Sequence, residues 1–174
     1  MRRYLPLIAI ITAVVFLIPI KDRNTYGPSS EVLPQVQKFI AFLSEDQEVP
    51  SLSSDFSTAK GSAWFRVIDG KVSYQVNVSG LDRVNMVHIH GGKKGENGEP
   101  IAMLRIKQYV GRINGTLANG NITSSDLIGS LTGKTVSDLI SKMQSGDTYV
   151  NVHTETNPFG MIRGQILVAN NITG

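Results

Sequence analysis

The sequence predicts an all-β chain, an antiparallel β-sandwich or barrel with one short amphipathic helix near residues 135–145. Three observations predict it. Short segments in which apolar and polar residues alternate recur along the chain, as in Lys71-Val72-Ser73-Tyr74-Gln75-Val76-Asn77-Val78. Turn residues separate them, most clearly Asp69-Gly70, because Asp-Gly supplies the positive φ angles that a two-residue hairpin requires. Residues 135–145 break the period of two, with Val136, Leu139, Ile140 and Met143 at helical spacing and Gly146 just beyond.

Taken in order, Met1-Arg2-Arg3, an apolar run from Tyr4 to Ile20 and Lys21-Asp22-Arg23 read as a secretory signal peptide or an N-terminal membrane anchor over residues 1–21. Leu17-Ile18-Pro19-Ile20 has no small-x-small cleavage pattern, and residues 4–20 fall slightly short of the ~20 apolar residues of a spanning helix, so both readings stay open. Either one puts the remainder outside the cell or on its surface. Residues 22–36, with Gly27-Pro28-Ser29-Ser30 and Pro34, read as a linker, residues 37–169 as the folded domain and residues 170–174 as a tail.

Within the domain, the first strand is Lys38–Leu43, followed by the acidic turn region Ser44–Pro50. The hairpin Ser62–Val78 comes next, with Val72, Tyr74, Val76 and Val78 facing the core and Asn77 outside. Met86–His90 forms a strand that leads into the glycine-rich connection Gly91–Pro100. This connection lacks the Lys-Ser/Thr ending of a phosphate cradle and reads as a flexible turn. A strand over about 101–106 and further short strands between Gly111 and Ile122 precede the helix, whose start Thr135 or Ser137 caps. The last strands are Thr148–His153 and Met161–Val168.

The formal charge of +3 comes from 17 basic and 14 acidic residues, but Arg2, Arg3 and Lys21 lie in the terminal segment. The remaining 14 basic residues balance the 14 acidic ones, and no basic stripe interleaves with aromatics, so nucleic acid is excluded as a partner. Asn77, Asn114, Asn121 and Asn171 each begin a glycosylation triplet, which fits an exterior location. With no cysteine, the chain has no disulfide framework, thiolate metal site or cysteine nucleophile.

All three histidines fall in two alternating segments, Met86-Val87-His88-Ile89-His90 and Tyr149-Val150-Asn151-Val152-His153. With the valines and Ile89 turned inward, His88 and His90 share the outward face of one strand, and Tyr149, Asn151 and His153 that of the other. If these strands pair, three imidazoles converge as a candidate site for copper or zinc with an open position. Arg163 and Gln165 reach the same face if the last strand lies beside them, Arg163 orienting an anion or pairing with an acid and Asn151 supporting the ligands. The alternative is architectural: the histidines bond loop carbonyls, and Arg163 pairs with Glu155 or Glu48. A hydrolase triad is disfavoured because Ser62 and Ser79 have no nucleophile-elbow context, and nothing favours paired catalytic carboxylates among Glu45, Asp46, Glu48 and Glu155.

The ordered motifs Phe39-Ile40-Ala41-Phe42-Leu43, Gln47-Glu48-Val49-Pro50, Gly61-Ser62-Ala63, Tyr74-Gln75-Val76, His88-Ile89-His90-Gly91, Tyr149-Val150-Asn151-Val152-His153-Thr154, Pro158 and Ile162-Arg163-Gly164-Gln165-Ile166 resemble the CHRD domain, the module repeated in chordin and found singly in exported microbial proteins. Met161 departs from the family pattern, which usually carries a glutamate before Ile-Arg-Gly-Gln. The resemblance implies a superoxide-dismutase-like or immunoglobulin-like β-sandwich. His-x-His with a late histidine and an arginine also looks like the copper half of copper-zinc superoxide dismutase, although the zinc-binding histidines and the disulfide are missing. The resulting expectation is an exported or surface-anchored binding or structural module, rather than an enzyme. Its partner would be an extracellular protein or envelope component, with the membrane engaged through residues 4–20. The alternative is an extracellular copper or zinc protein, redox-active in a dismutase-like manner.

Overall fold

The computed structural model describes residues 36–52, 58–105 and 108–169. The expected signal peptide or anchor, all of the expected linker but Val36, the expected tail and Asn171 lie outside the described residues. Among the described residues no helix is long and apolar enough to cross a membrane.

Nine strands form one antiparallel sheet: β1 (Gln37–Ser44), β2 (Lys60–Ile68), β3 (Lys71–Asp82), β4 (Val84–Gly91), β5 (Pro100–Arg105), β6 (Arg112–Ile122), β7 (Thr148–Thr154), β8 (Ile162–Gln165) and β9 (Leu167–Val168). Their order is β5-β4-β7-β8-β1-β2-β3-β6, and β9 pairs with β1. The sheet curls until it nearly closes into a barrel. Where the sheet nears closure, the Tyr74 hydroxyl of β3, the strand beside the β6 end, donates to the Leu104 carbonyl of β5, the other end, at 2.6 Å. Phe39, Phe65, Val76, Ile89, Val150 and Ile162 belong to the core, each almost wholly removed from water. Alternation is the cause: it gives each strand one apolar face, and curling buries all those faces together.

The β2–β3 hairpin turns at Asp69 and Gly70, with φ of 49° and 73°, the two left-handed residues expected of a two-residue turn. The helix α1 (Val136–Gln144) is capped by Thr135 rather than Ser137. The Asp138 N–H donates to the Thr135 hydroxyl (3.3 Å), and the Asp138 carboxylate accepts from the Thr135 N–H (2.8 Å). Leu139, Ile140 and Met143 bury its apolar stripe, and Gly146 (φ 75°) lies just past its end.

Two segments differ from expectation. The short strands expected near Gly111–Ile122 are one 11-residue strand, because bulges against β3 absorb the irregular spacing. Gly120 stays in register because its missing side chain leaves room for the Tyr74 ring, which a Cβ there would approach at 3.3 Å. Conversely, the single strand expected over Met161–Val168 is divided. Its first half, β8, lies between β7 and β1, with Arg163 opposite Ser44, whereas Leu167 and Val168 pair farther along β1, opposite Ile40 and Phe39.

Candidate metal centre

The pairing on which the histidine site depends is present. β4 runs antiparallel to β7, with Met86 opposite His153, His88 opposite Asn151 and His90 opposite Tyr149. β8 extends the rows, placing Arg163 opposite Asn151 and Gln165 opposite Tyr149. Directly paired residues point to the same side of a sheet, so one face collects the three imidazoles together with Tyr149, Asn151, Arg163 and Gln165.

This face is not open to solvent as the alternation implied. His88, His90, His153, Asn151, Tyr149 and Arg163 are all buried, and every residue of β7 is buried on both of its sides. The cover is formed by the connections that the sequence left as loops. The Gly91–Pro100 connection, expected to be a flexible turn, is pinned down. Arg163 donates to the carbonyls of Lys93 (3.0 Å) and Glu96 (2.7 Å) and to Asn97 Oδ1 (3.3 Å), while Gln165 donates to the carbonyls of Gly92 (3.0 Å) and Gly146 (2.7 Å). Gly98 passes so close to the Gly91 carbonyl that no side chain fits there.

The same connections fix the imidazoles. His90 Nδ1 bonds the Gly98 carbonyl at 2.9 Å and His153 Nδ1 bonds the Pro158 carbonyl at 3.0 Å. A carbonyl only accepts, so both Nδ1 atoms carry the proton, and in the neutral rings both Nε2 atoms present bare lone pairs. Those two Nε2 atoms face each other at 3.4 Å. His88 completes the group: its ring centroid lies 5.1 Å from that of His153 and 5.6 Å from that of His90, and its Nδ1 is buried with no hydrogen-bond partner. One potential ligand atom from each ring falls within 4.8 Å of the others.

The electrostatics keep these rings in the ligand state. Burial, reinforced by the neighbouring imidazoles, pushes His88 down to about 4. Burial also pushes His90 down to about 4, against the Gly98 hydrogen bond, and it lowers His153 against the bond to Pro158. All three are therefore neutral at pH 7. A metal holding two nitrogens at about 2.0–2.1 Å in tetrahedral geometry sets them about 3.3–3.4 Å apart, the spacing the Nε2 pair already has. The buried cluster could hold a metal.

Residues 39–166 match the model of the CHRD domain family. The chain belongs to the CHRD domain family. The matched stretch includes the whole histidine cluster, Arg163 and Gln165. No curated protein and no solved structure matches the chain.

In this CHRD domain the remaining side chains divide by role. Tyr149 stacks on His90, with ring centroids 5.0 Å apart, and the Arg163 guanidinium lies 3.5 Å above the centroid of the Tyr149 ring. The Tyr149 hydroxyl accepts from the Gly98 N–H at 3.1 Å. Arg163 thus ties strand, ring and connection together. It does not pair with Glu155, which instead meets Arg83 at 3.8 Å and accepts a hydrogen bond from Gln108. Met161, at the position where the family pattern has glutamate, accepts through its sulfur from Asn157 Nδ2 at 3.0 Å. Asn77, Asn114 and Asn121 lie on β3 and β6, far along the sheet order from the histidines.

Glu48, which the sequence presents as a polar loop residue and a candidate partner of Arg163, is buried. Its Oε2 accepts from Asn151 Nδ2 at 3.4 Å, and its Oε1 has no partner. Burial raises its carboxyl to about 7, against the charge of Arg163 and the Asn151 hydrogen bond. The one signal in the sequence was its place in the motif Gln47-Glu48-Val49-Pro50, directly after the Glu45–Gln47 turn. The bonds from His90 and His153 to loop carbonyls match the architectural alternative, but no side-chain pattern singles out Gly98 and Pro158 as the carbonyls that set the tautomers.

Proposed function

We propose that the protein is an exported CHRD module that holds one copper or zinc ion on His88, His90 and His153 and acts as a binding or structural element of the cell exterior. The observation that carries the metal is the Nε2 pair of His90 and His153. Two lone pairs held face to face at 3.4 Å repel unless a cation or a proton lies between them. Burial disfavours the proton, which leaves the cation. Imidazole donors with no thiolate suit copper(II) or zinc. Export rests on the charged and apolar pattern of residues 1–23, and the partner it implies is an extracellular protein or envelope component.

A dismutase-like role is the weaker reading, for a reason specific to Arg163. An arginine that guides an anion to a metal must present its guanidinium to incoming solvent. This one is 2% exposed and spends its donors on the covering connection.

Metal content tests the proposal. The full chain, offered copper and zinc and then dialysed, should retain about one ion per molecule, and His88→Ala and His153→Ala should each lose it. Retention of no ion by wild type, with both variants merely less stable, would make the histidines architectural.

A further inference from the structure

On the opposite side of the sheet order from the histidines, β1, β2 and β3 present a second ordered face. Its rows follow from the register. Lys38 lies opposite Arg66, and Arg66 lies opposite Ser73; in the next row Trp64 lies opposite Gln75. Lys38, Trp64, Arg66, Ser73 and Gln75 line a groove of about 380 Å³, a volume within the ~300–1,000 Å³ typical of small-ligand sites.

The charge on this face is one-sided. The outward positions of β2, and those of β3 from Lys71 to Ser79, hold Lys60, Arg66 and Lys71 and no carboxylate; Lys38 of β1 adds a fourth cation. All four are exposed, and among the described residues none has a carboxylate partner within 4.0 Å. Residues 22–174 as a whole balance 14 basic against 14 acidic groups, so the excess is local. Lys38 directly opposite Arg66 is a like-charge pair, which destabilises a sheet by itself. An anionic occupant reverses that sign.

The neighbours of the cations specify the rest of the occupant. Trp64 is 41% exposed, so part of its ring is free to pack against an apolar ring face. Beside it, Ser73 donates to the Arg66 carbonyl and Gln75 to Asn77 Oδ1, which leaves the Ser73 hydroxyl oxygen and the Gln75 amide oxygen as acceptors for sugar hydroxyls. Apolar C–H faces, hydroxyl edges and a carboxylate occur together in a uronic acid sugar. A lipid surface is the competing occupant, because Phe42 and Leu167 are exposed near Trp64; Trp64 itself, however, lines a groove with Lys38, Arg66, Ser73 and Gln75, and the vesicles in the test below decide between the two. We infer that the β1–β2–β3 face is a binding site for an acidic saccharide, with Trp64 stacking on a sugar ring and Lys38 and Arg66 taking its carboxylate. This site shares no residue with the histidine cluster.

Trp64 is the chain's single tryptophan, so its fluorescence reports on this face directly. The full chain is titrated with tetragalacturonate, with its methyl ester as the neutral counterpart and with phosphatidylglycerol vesicles. The expected result is a saturable change in emission with the acid. Affinity should be about tenfold weaker for the ester and should fall by a similar factor in Arg66→Gln and Lys38→Gln, the size of one charge-assisted contact. Both variants lie on the surface and should keep the wild-type circular dichroism. His88→Ala should bind the saccharide as wild type does. Three results would each overturn the inference: no saturable response, equal binding of acid and ester, or a response to vesicles alone.

Discussion

A neutral imidazole is a ligand and a protonated one is not, so the depressed histidines set the acid limit of the site. Ordinary imidazoles begin to release metal as pH falls through about 6.5. With His88 and His90 pushed down to about 4, proton competition starts later, and the ion should be retained to about pH 5 and lost near pH 4. Metal retained after dialysis across pH 3.5–7.5 checks this; release centred near 6.5 would show that the rings are solvated. Glu48 carries the opposite sign. Its carboxyl is raised from 4.5 to about 7, so the folded state binds its proton more tightly than the unfolded state does. Its stabilising contribution is complete below pH 4.5 and is lost as pH rises through about 7. Glu48→Gln keeps a neutral side chain at every pH. In the metal-free chain it should therefore gain stability over wild type as pH rises from 5 to 8, by about 1–2 kcal/mol once residual solvation of the carboxyl is allowed for. Urea denaturation at the two pH values measures the gain. A variant less stable than wild type at pH 8 would mean that the attraction between Glu48 and Arg163 outweighs burial.

Among the elements, the covering connection is the one whose sequence gives least warning of its role. Gly91–Pro100 is rich in glycine and charge and has no apolar periodicity, so its composition reads as flexible. Its order comes from Arg163 and Gln165, about 70 residues away in sequence. Arg163 uses a planar fork over Tyr149 to reach the Lys93 and Glu96 carbonyls, and lysine cannot reproduce that geometry. Arg163→Met and Arg163→Lys should both be destabilising, the former by about 2–4 kcal/mol because buried carbonyls lose their donors. Amide exchange over residues 92–98 should accelerate in both variants, more than in α1. The connection also supplies the Gly98 carbonyl to His90, so metal should be held less tightly as well. Unchanged exchange in this segment would place its order elsewhere. The strands themselves were legible because alternation is local, as was α1, whose period differs from theirs. The burial of β7 was not legible: Tyr149, Asn151 and His153 look like an exposed polar face, and only the distant segments that fold over them make it an interior.

For the whole molecule, these scales meet in how metal binding couples to folding. The three histidines come from β4 and β7, strands separated by more than 50 residues that are adjacent only once the sheet has formed. An unfolded chain keeps His88 and His90 close but cannot bring in His153, so a bound ion selects the folded state. The sequence showed which residues could converge, because three histidines at alternate positions are a local pattern. Whether they did depended on the strand order β5-β4-β7-β8, which no short pattern encodes. With free metal at about 100 times its dissociation constant, linkage adds about 2.7 kcal/mol, which for a domain of this size raises the melting temperature by about 5–10 °C. Copper or zinc should produce this shift in wild type, and the shift should grow with metal concentration. His153→Ala, which leaves the local His88-x-His90 pair intact, should lose most of it. A shift of equal size in His153→Ala would mean that the ion is held by one strand alone, and the assembled sheet would then have no part in creating the site.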